Sequence, residues 1–492
     1  MKKLLTLVLA ASAFNSFAQK PETFAKTITP NDLKKHLYIV ASAEMEGRET
    51  ATPGQKKAAA YIENQFKQLG LQPGNNGSYQ MYYDVYQDSL TDASLEVNGK
   101  NFELDKDFNP SANNIEATMR FSEVVLIGSQ SIDSLKNASL AGKLLMIVGN
   151  VPMGGRMQRG GLAEILQTKG IAGILSVSNT YPRTSALSRK GFQNINGFRR
   201  SLSPQQYFIS ETVAKNIIGN DYDNVKNNSS VVKTYEANIL LEVKKTTLMA
   251  QSSNVIALLP GTDLKDEYLL ITAHYDHLGK RGDSVIYYGA DDDGSGTVSV
   301  LEMAEAFAKA KAAGKGPRRS VVFMTVSGEE KGLWGSEYYS NHPVFPLEKT
   351  TADLNIDMIG RSDSSRKGDT TNYVYVVGDD KLSSELKPIS EAINKKYTKL
   401  ELDYKFNDPN DRNRIYYRSD HFNFARKGVP IIFYYDGMLG ADYHKPTDTP
   451  DKINYPLLAK RAQLVFYTAW EMANRNEMLK RDIPLPTAAA RP

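Results

Sequence analysis

The chain is predicted to be an α/β protein: a mixed, mostly parallel sheet flanked by helices, with an inserted β-rich α+β domain. Three observations predict it. From residue 268 onward, apolar strand-length runs alternate with helix-length segments, the pattern of a parallel sheet covered on both faces. Between residues 111 and 245 that alternation gives way to short β-type runs and polar loops. And 492 residues are more than one ordinary core accommodates.

The elements follow in order. Lys2 and Lys3, the apolar run from Leu4 to Phe14, and Ser16-Phe17-Ala18 read as a signal peptide over residues 1–18. The run is far short of the roughly 20 apolar residues of a membrane helix. The expected product is exported, periplasmic or extracellular, without a membrane anchor. Residues 19–110 open the main domain. Asn31 to Ala41 is a predicted helix, with Asn31 or Asp32 as its cap. A loop with Gly47, Pro53 and Gly54 precedes a second helix ending at Leu69, where Gly70 stops it. Met81 to Phe108 reads as short strands, with Asn98-Gly99 as a turn.

The insert, residues 111–245, contains strands at Val124–Ile127, Leu144–Val148 and Gly173–Val177 and a short helix at Leu162–Lys169. The polar tract from Asn179 to Arg200 reads as an exposed loop. Residues 246–480 form the rest of the main domain, with 481–492 as a tail. Its predicted strands are Tyr268–Ala273, Val321–Val326, Leu354–Met358, Tyr373–Val377 and Ile431–Tyr435. Its helices are Thr297–Ala312, Leu382–Tyr397 with a kink at Pro388, and Tyr455–Ala473.

Composition narrows the function. Net charge is +4 with no dense basic stripe, so nucleic acid is not an expected partner. There is no cysteine, so any metal site must be built from histidine and carboxylates.

Five short segments carry such residues. Leu269–Ala273 runs straight into His274-Tyr275-Asp276; in an extended chain His274 and Asp276 share a face, and a carboxylate there can orient a ligating imidazole. Alone, this pair reads more simply as a structural histidine. Asp291, Asp292 and Asp293 sit in the glycine-rich loop before the Thr297 helix, where a cation and a solvated acidic turn explain them equally well. Glu329 and Glu330 follow the Val321–Val326 strand; beside a metal, one such carboxylate can ligate and the other act as a base. Asp357 lies in an apolar strand, an unfavourable place unless it is paired. His444 lies in a late loop. Each segment alone is ordinary. Together they set two histidines and three carboxylates, with one carboxylate spare, around the strand ends where α/β folds build their clefts. That inventory matches two divalent ions.

The motifs resemble those of the co-catalytic di-zinc exopeptidases, which include secreted leucyl-type aminopeptidases and glutamate carboxypeptidase. His274-Tyr275-Asp276, Gly289 to Gly296, Ser327-Gly328-Glu329-Glu330, Asn355 to Gly360 and Tyr443-His444 occur in that family's order. Arg418-Ser419-Asp420-His421, Thr447-Asp448-Thr449 and the early Glu46-Gly47-Arg48 fit it as well. The resemblance implies two zinc ions (Zn2+) bridged by Asp292, with His274 and Asp357 completing one position and Glu330 and His444 the other. It further implies that Asp276 orients His274, and that Glu329 takes a proton from water and returns it to the leaving amine. Asp291 stands where the family often has a neutral residue, which suggests extra negative charge at the metals. His277 and His421 match no ligand position and read as structural. The insert resembles a protease-associated domain, through Ser139 to Lys143 and Ala163 to Gly170.

The resemblance implies an aminopeptidase acting on peptides. Alternatives are a carboxypeptidase or dipeptidase, for which Arg412, Arg414 and Arg418 would supply cationic charge, a non-catalytic receptor-like binding protein, and a glutaminyl cyclase.

Overall fold

The computed structural model describes residues 20–128, 135, 138–149, 168–183, 187–196, 204–227, 232–282 and 284–485. The expected signal peptide and most of the expected Leu162–Lys169 helix lie outside them. The described chain forms two compact units: one from the residues up to Tyr82 together with those from Ser252 onward, the other from Tyr83–Gln251. The expected insert falls inside the second unit, which begins earlier.

Among the described residues, the first unit is built on a sheet whose main path has seven strands, with Gln72–Pro73 pairing beside it. In chain order these are the end of β1 (Val232–Leu259), β2 (Leu264–His274), β3 (Arg319–Val326), β4 (Thr350–Ile356), β5 (Tyr373–Val377), β6 (Glu401–Asp403) and β7 (Ile431–Tyr435). Their spatial order is β6-β5-β7-β4-β2-β3-β1. The joints β3-β2, β2-β4, β4-β7 and β5-β6 are parallel, while β5-β7 and β1-β3 are antiparallel. The predicted fold class is the one found.

The continuous apolar runs follow from this arrangement. Successive residues of a strand point to opposite faces, and here both faces are covered. Leu269, Ile271 and Ala273 enter a core shared with helices α1 (Pro30–Val40), α3 (Gly296–Ala312) and α6 (Tyr455–Asn474), whereas Leu270 enters the opposite core beside Tyr339 of helix α4 (Trp334–Asn341).

Several boundaries differ from expectation for local reasons. Helix α1 starts at Pro30, and its cap is Thr29, whose hydroxyl accepts from the Asp32 amide at 3.2 Å. Proline suits the first helical position because its missing N–H would be unpaired there anyway. Helix α2 spans Pro53–Gln68. Strand β4 ends at Ile356, so Asp357 stands just beyond the strand and not inside it. Helix α5 (Leu386–Lys396) begins later than Leu382, which adopts a positive φ. Pro388 therefore falls in the first turn, where proline is tolerated.

In the second unit, Ala117–Gly128, Leu144–Val148, Gly173–Val177 and Gln205–Ile209 pair in parallel, edged by antiparallel Phe108–Pro110. Residues 232–243 of β1 pair antiparallel with Ala117–Gly128. Helix Glu211–Ile218, capped by Ser210, packs its Val213, Ala214 and Ile217 into this core. The tract expected as a loop contains a strand, Lys190–Asn194, which pairs with residues 86–89. Phe192 in that strand is 76% exposed, which is why the segment lacks a core-facing apolar pattern.

Candidate metal centre and active site

Three neighbouring parallel strands end side by side, and each delivers a site residue just at or beyond its carboxyl end. Strand β2 ends in His274. Strand β3, whose Val326 is level with His274, leads through Ser327-Gly328 to Glu329 and Glu330. Strand β4 leads into Asp357. Asp292 joins them from the turn that precedes α3, and His444 from a late loop.

The three consecutive aspartates divide the work. Asp293 turns inward: its carboxylate accepts from the amides of Gly296 at 2.8 Å, Met358 at 3.0 Å and His274 at 3.3 Å. It thereby ties the loop to the ends of β2 and β4. Asp291 accepts from the Gly360 amide at 2.8 Å. Burial, and then the nearby Asp436 and Asp448 carboxyls, push Asp291 well above the usual range. It is thus held at a backbone amide, in surroundings that favour its neutral form over the charge its position in the sequence suggested. Only Asp292 faces the site.

Around Asp292 the other side chains fall into two groups. One carboxylate oxygen, Oδ1, lies 3.3 Å from His274 Nε2, which is itself 3.6 Å from Asp357 Oδ1. The second, Oδ2, lies 3.2 Å from His444 Nε2, which is 3.0 Å from Glu330 Oε2. Asp276 sits behind His274, with Oδ1 3.7 Å and its carbonyl 3.1 Å from Nδ1. Its carboxylate accepts from Thr50 at 2.8 Å and from the Glu329 amide at 3.2 Å, so one residue positions both the histidine and the start of the Glu329 loop.

Burial works to raise Asp292, yet His274 and His444 on either side hold its carboxyl well below the usual range. Glu329 goes the other way. Burial, partly countered by His274 and reinforced by Glu330 and Asp357, pushes it well above the usual range. Its Oε2 is 3.9 Å from His274 Nε2.

The donors suit a metal. His274 Nε2, Asp292 Oδ2 and Glu330 Oε1 are buried without a hydrogen-bond partner, and an unpaired buried polar atom is costly. Imidazole nitrogens and carboxylate oxygens are the ligands zinc takes when thiolates are absent. His274, Asp292 and Asp357 form one group able to hold an ion, and His277, Asp292 and Glu330 form a second. His277 was read from sequence as structural. Here its fully buried ring lies with Nδ1 2.8 Å from Glu330 Oε1. The cue available was its spacing, three residues after His274 at the same strand end.

The other histidine behaves differently. His421 is buried, its Nε2 is 2.8 Å from the Tyr416 carbonyl, its ring stacks on Phe433, and burial pushes it down to about 3.

Two residues of the motifs noted in the sequence, to which no role was assigned there, act as positioning groups. Asp448 accepts from the amides of Asp291 and Asp292, each at 3.1 Å. Arg48, fully buried, donates to the carbonyls of Val40, Tyr275, Tyr288 and Gly289 at 2.7–2.9 Å. Arginine suits this task because its planar fork carries five donors.

A pocket opens at the site, lined by Asp292, Glu329, Asp357 and Met358 with Phe433, Tyr435, Leu439, Tyr443 and Arg418. Arg418 donates to the Tyr443 hydroxyl at 3.0 Å, and the Tyr443 ring stacks on His444. Arg412 and Arg414 are not in the wall; Arg414 lies over Tyr417.

Comparison with known proteins places the chain among peptidases in sequence likeness and fold. The profile of peptidase family M28 matches residues 254–469. A probable leucine aminopeptidase of Arthroderma otae is 29% identical over 228 residues, 45% of this chain and 58% of that protein. Leupeptin-inactivating enzyme 1 of Streptomyces exfoliatus is 28% identical over 46% of this chain and 50% of its own. The match thus spans little more than half the length of the curated relatives. Among solved structures, an aminopeptidase from Aneurinibacillus sp. strain AM-1 superposes with a TM-score of 0.57 at 19% identity, covering 95% of this chain and 99% of that one. A zinc aminopeptidase from Bacillus subtilis gives 0.53 at 20% identity, covering 93% and 99%. At these identities the structures establish the shared fold. Residues 254–469, which hold every one of the expected site residues, are thus similar to peptidase family M28.

Proposed function

We propose that the chain is an exported two-zinc aminopeptidase that removes N-terminal residues from peptides. The observation that carries this reading is the pairing around Asp292: its two oxygens face two separate imidazoles, and each imidazole has a further carboxylate beside it. Asp292 would bridge the ions, His274 and Asp357 holding one, Glu330 and His444 the other. Two such ions, when bound, lower the pKa of a water and polarise a scissile carbonyl. Glu329 supplies the proton transfers. Burial and neighbouring carboxylates raise its proton affinity, as a general base working near neutral pH requires. It would take the proton of the attacking water and pass it to the departing amine. Asp276 keeps the His274 ring oriented.

The Arthroderma otae relative is named a probable leucine aminopeptidase, and the apolar wall of Met358, Ile415, Phe433 and Leu439 suits an aliphatic or aromatic side chain. The expected signal peptide supports export, and among the described residues no helix is long and apolar enough to cross a membrane. The protease-associated resemblance of residues 111–245 completes the proposal.

One observation favours a second reading. Arg418 stands in the pocket wall near Glu329 and Asp357, where it would suit a substrate carboxylate, as in a carboxypeptidase or dipeptidase. The deciding experiment measures zinc content alongside cleavage of free and N-blocked peptides. Two zincs with cleavage of free N-termini only establishes the aminopeptidase. Release of C-terminal residues from blocked peptides transfers the assignment to the second reading. Absence of both metal and turnover leaves a binding protein.

A further inference from the structure

Nothing in the motif order assigns a role to His277, yet its ring lies inside the metal centre. We propose that His277 is a third nitrogen ligand, binding through Nδ1 at the Glu330–His444 position; this rests on the two-zinc reading above. The ring is fully buried, and neither of its nitrogens has a hydrogen-bond partner among the described residues. Nδ1 nevertheless lies 2.8 Å from Glu330 Oε1 and 3.8 Å from Asp292 Oδ2. Two lone-pair atoms hold that separation only with a proton or a cation between them. A cation shared with Asp292 Oδ2, 3.8 Å away, accounts for all three donors facing one point. Donors on a tetrahedral zinc, with bonds of about 2.0–2.1 Å, stand roughly 3.3 Å apart, and the two distances lie on either side of that value.

The ring's position is built into the fold. The His277 amide donates to the Arg48 carbonyl at 3.3 Å. Across from it stands Gly289, where a Cβ would come within 2.5 Å of the imidazole. Any larger residue there would displace the ring.

The consequence is an asymmetric centre. One position has three protein residues, His274, Asp357 and the shared Asp292. The other has four: His277, Glu330, His444 and Asp292. Zinc held by four protein ligands is closed, whereas catalytic zinc keeps one coordination place free. Glu329 lies on the three-residue side, and the pocket is lined by Asp292, Glu329 and Asp357 but by neither Glu330 nor His277. The Glu330 side is therefore the tightly held position, and the His274 side is where water and substrate oxygen have room.

The test starts from the purified zinc-loaded protein, brought to one zinc per chain by dialysis against graded chelator. X-ray absorption at the zinc edge then counts imidazoles on the retained ion. Two support the proposal; one overturns it. In parallel, chelator competition on His277→Ala should show an affinity loss at the tight position beyond the roughly 10–100-fold that an outer partner costs. The cobalt-substituted variant should also show a changed visible spectrum. A smaller loss, or an unchanged cobalt spectrum, overturns the ligand role. Circular dichroism of the variant checks that it folds, and the absorption measurement on the unaltered protein does not depend on it. Wild-type protein that takes up no zinc removes the two-zinc reading itself, whereas one imidazole on a bound zinc removes only His277.

Discussion

Arg48 donates to the Gly289 carbonyl at 2.7 Å, joining residues 241 apart in sequence. The same guanidinium holds the Tyr275 carbonyl, so one side chain from the N-terminal segment secures both the loop carrying His274 and Asp276 and the loop carrying Asp292. Four carbonyls, three of them fully buried, depend on it.

Arg48→Met should therefore destabilise the protein by about 3 kcal/mol or more, since each buried carbonyl left unpaired costs about 1–3 kcal/mol. Urea unfolding monitored by circular dichroism measures this, with zinc retention falling in parallel. Arg48→Lys should rescue little, because a single ammonium cannot reproduce the fork. Wild-type stability in Arg48→Met would show that the contacts contribute no net energy.

Glu329→Gln should lower kcat by about 10²–10⁴-fold, the range for loss of a general acid–base group, while metal content stays at the wild-type level. Near-normal turnover in this variant would remove Glu329 from the proton-transfer role.

Asp292→Ala should lose zinc, retaining at most one ion per chain after dialysis, because both oxygens of this carboxylate face imidazoles. Unchanged zinc content would overturn its bridging role.

A pH effect on stability follows from Glu302, away from the site on helix α3. Its carboxyl is buried without a hydrogen-bond partner, 3.4 Å from His36 Nε2. Burial, and then Glu305 and Asp32, push it up to about 8. Unfolded, it would titrate near the ordinary value of about 4.3. Between those values the folded state holds a proton that the unfolded state has released, so stability falls as pH rises from about 4.3 to 8 and then levels off. Glu302→Gln should remove roughly 2–4 kcal/mol of that decline, measured as urea midpoints at pH 5 and pH 8. Parallel declines in both proteins would exclude Glu302 as the cause.

What the sequence made legible was whatever local pattern controls. His274, Glu329 and Glu330 were readable because apolar strands run directly into them, and the parallel sheet followed from the alternation of elements. The division of labour among Asp291, Asp292 and Asp293 was not readable, because three identical neighbours differ only in the distant amides and carboxyls that receive them. Arg48 and Asp448 stood in recognised motifs, but their roles were hidden for the same reason: their partners are backbone groups far along the chain, and no spacing rule announces them. His277 was passed over because its neighbours Gly289 and Glu330 meet it only after folding. The Lys190–Asn194 strand was missed because its polar, largely exposed residues carry no period-two apolar signal.

The three central strands end level with one another, and this alignment acts as a measuring scale. Because His274 stands opposite Val326 while Asp357 follows directly on β4, donor spacing is fixed by the ladder of backbone hydrogen bonds. Inserting one residue within any of these strands would turn the following donor to the opposite face of the sheet. Length changes in the outer loops leave the scale untouched. The chemistry can thus stay constant while the pocket's rim is free to vary.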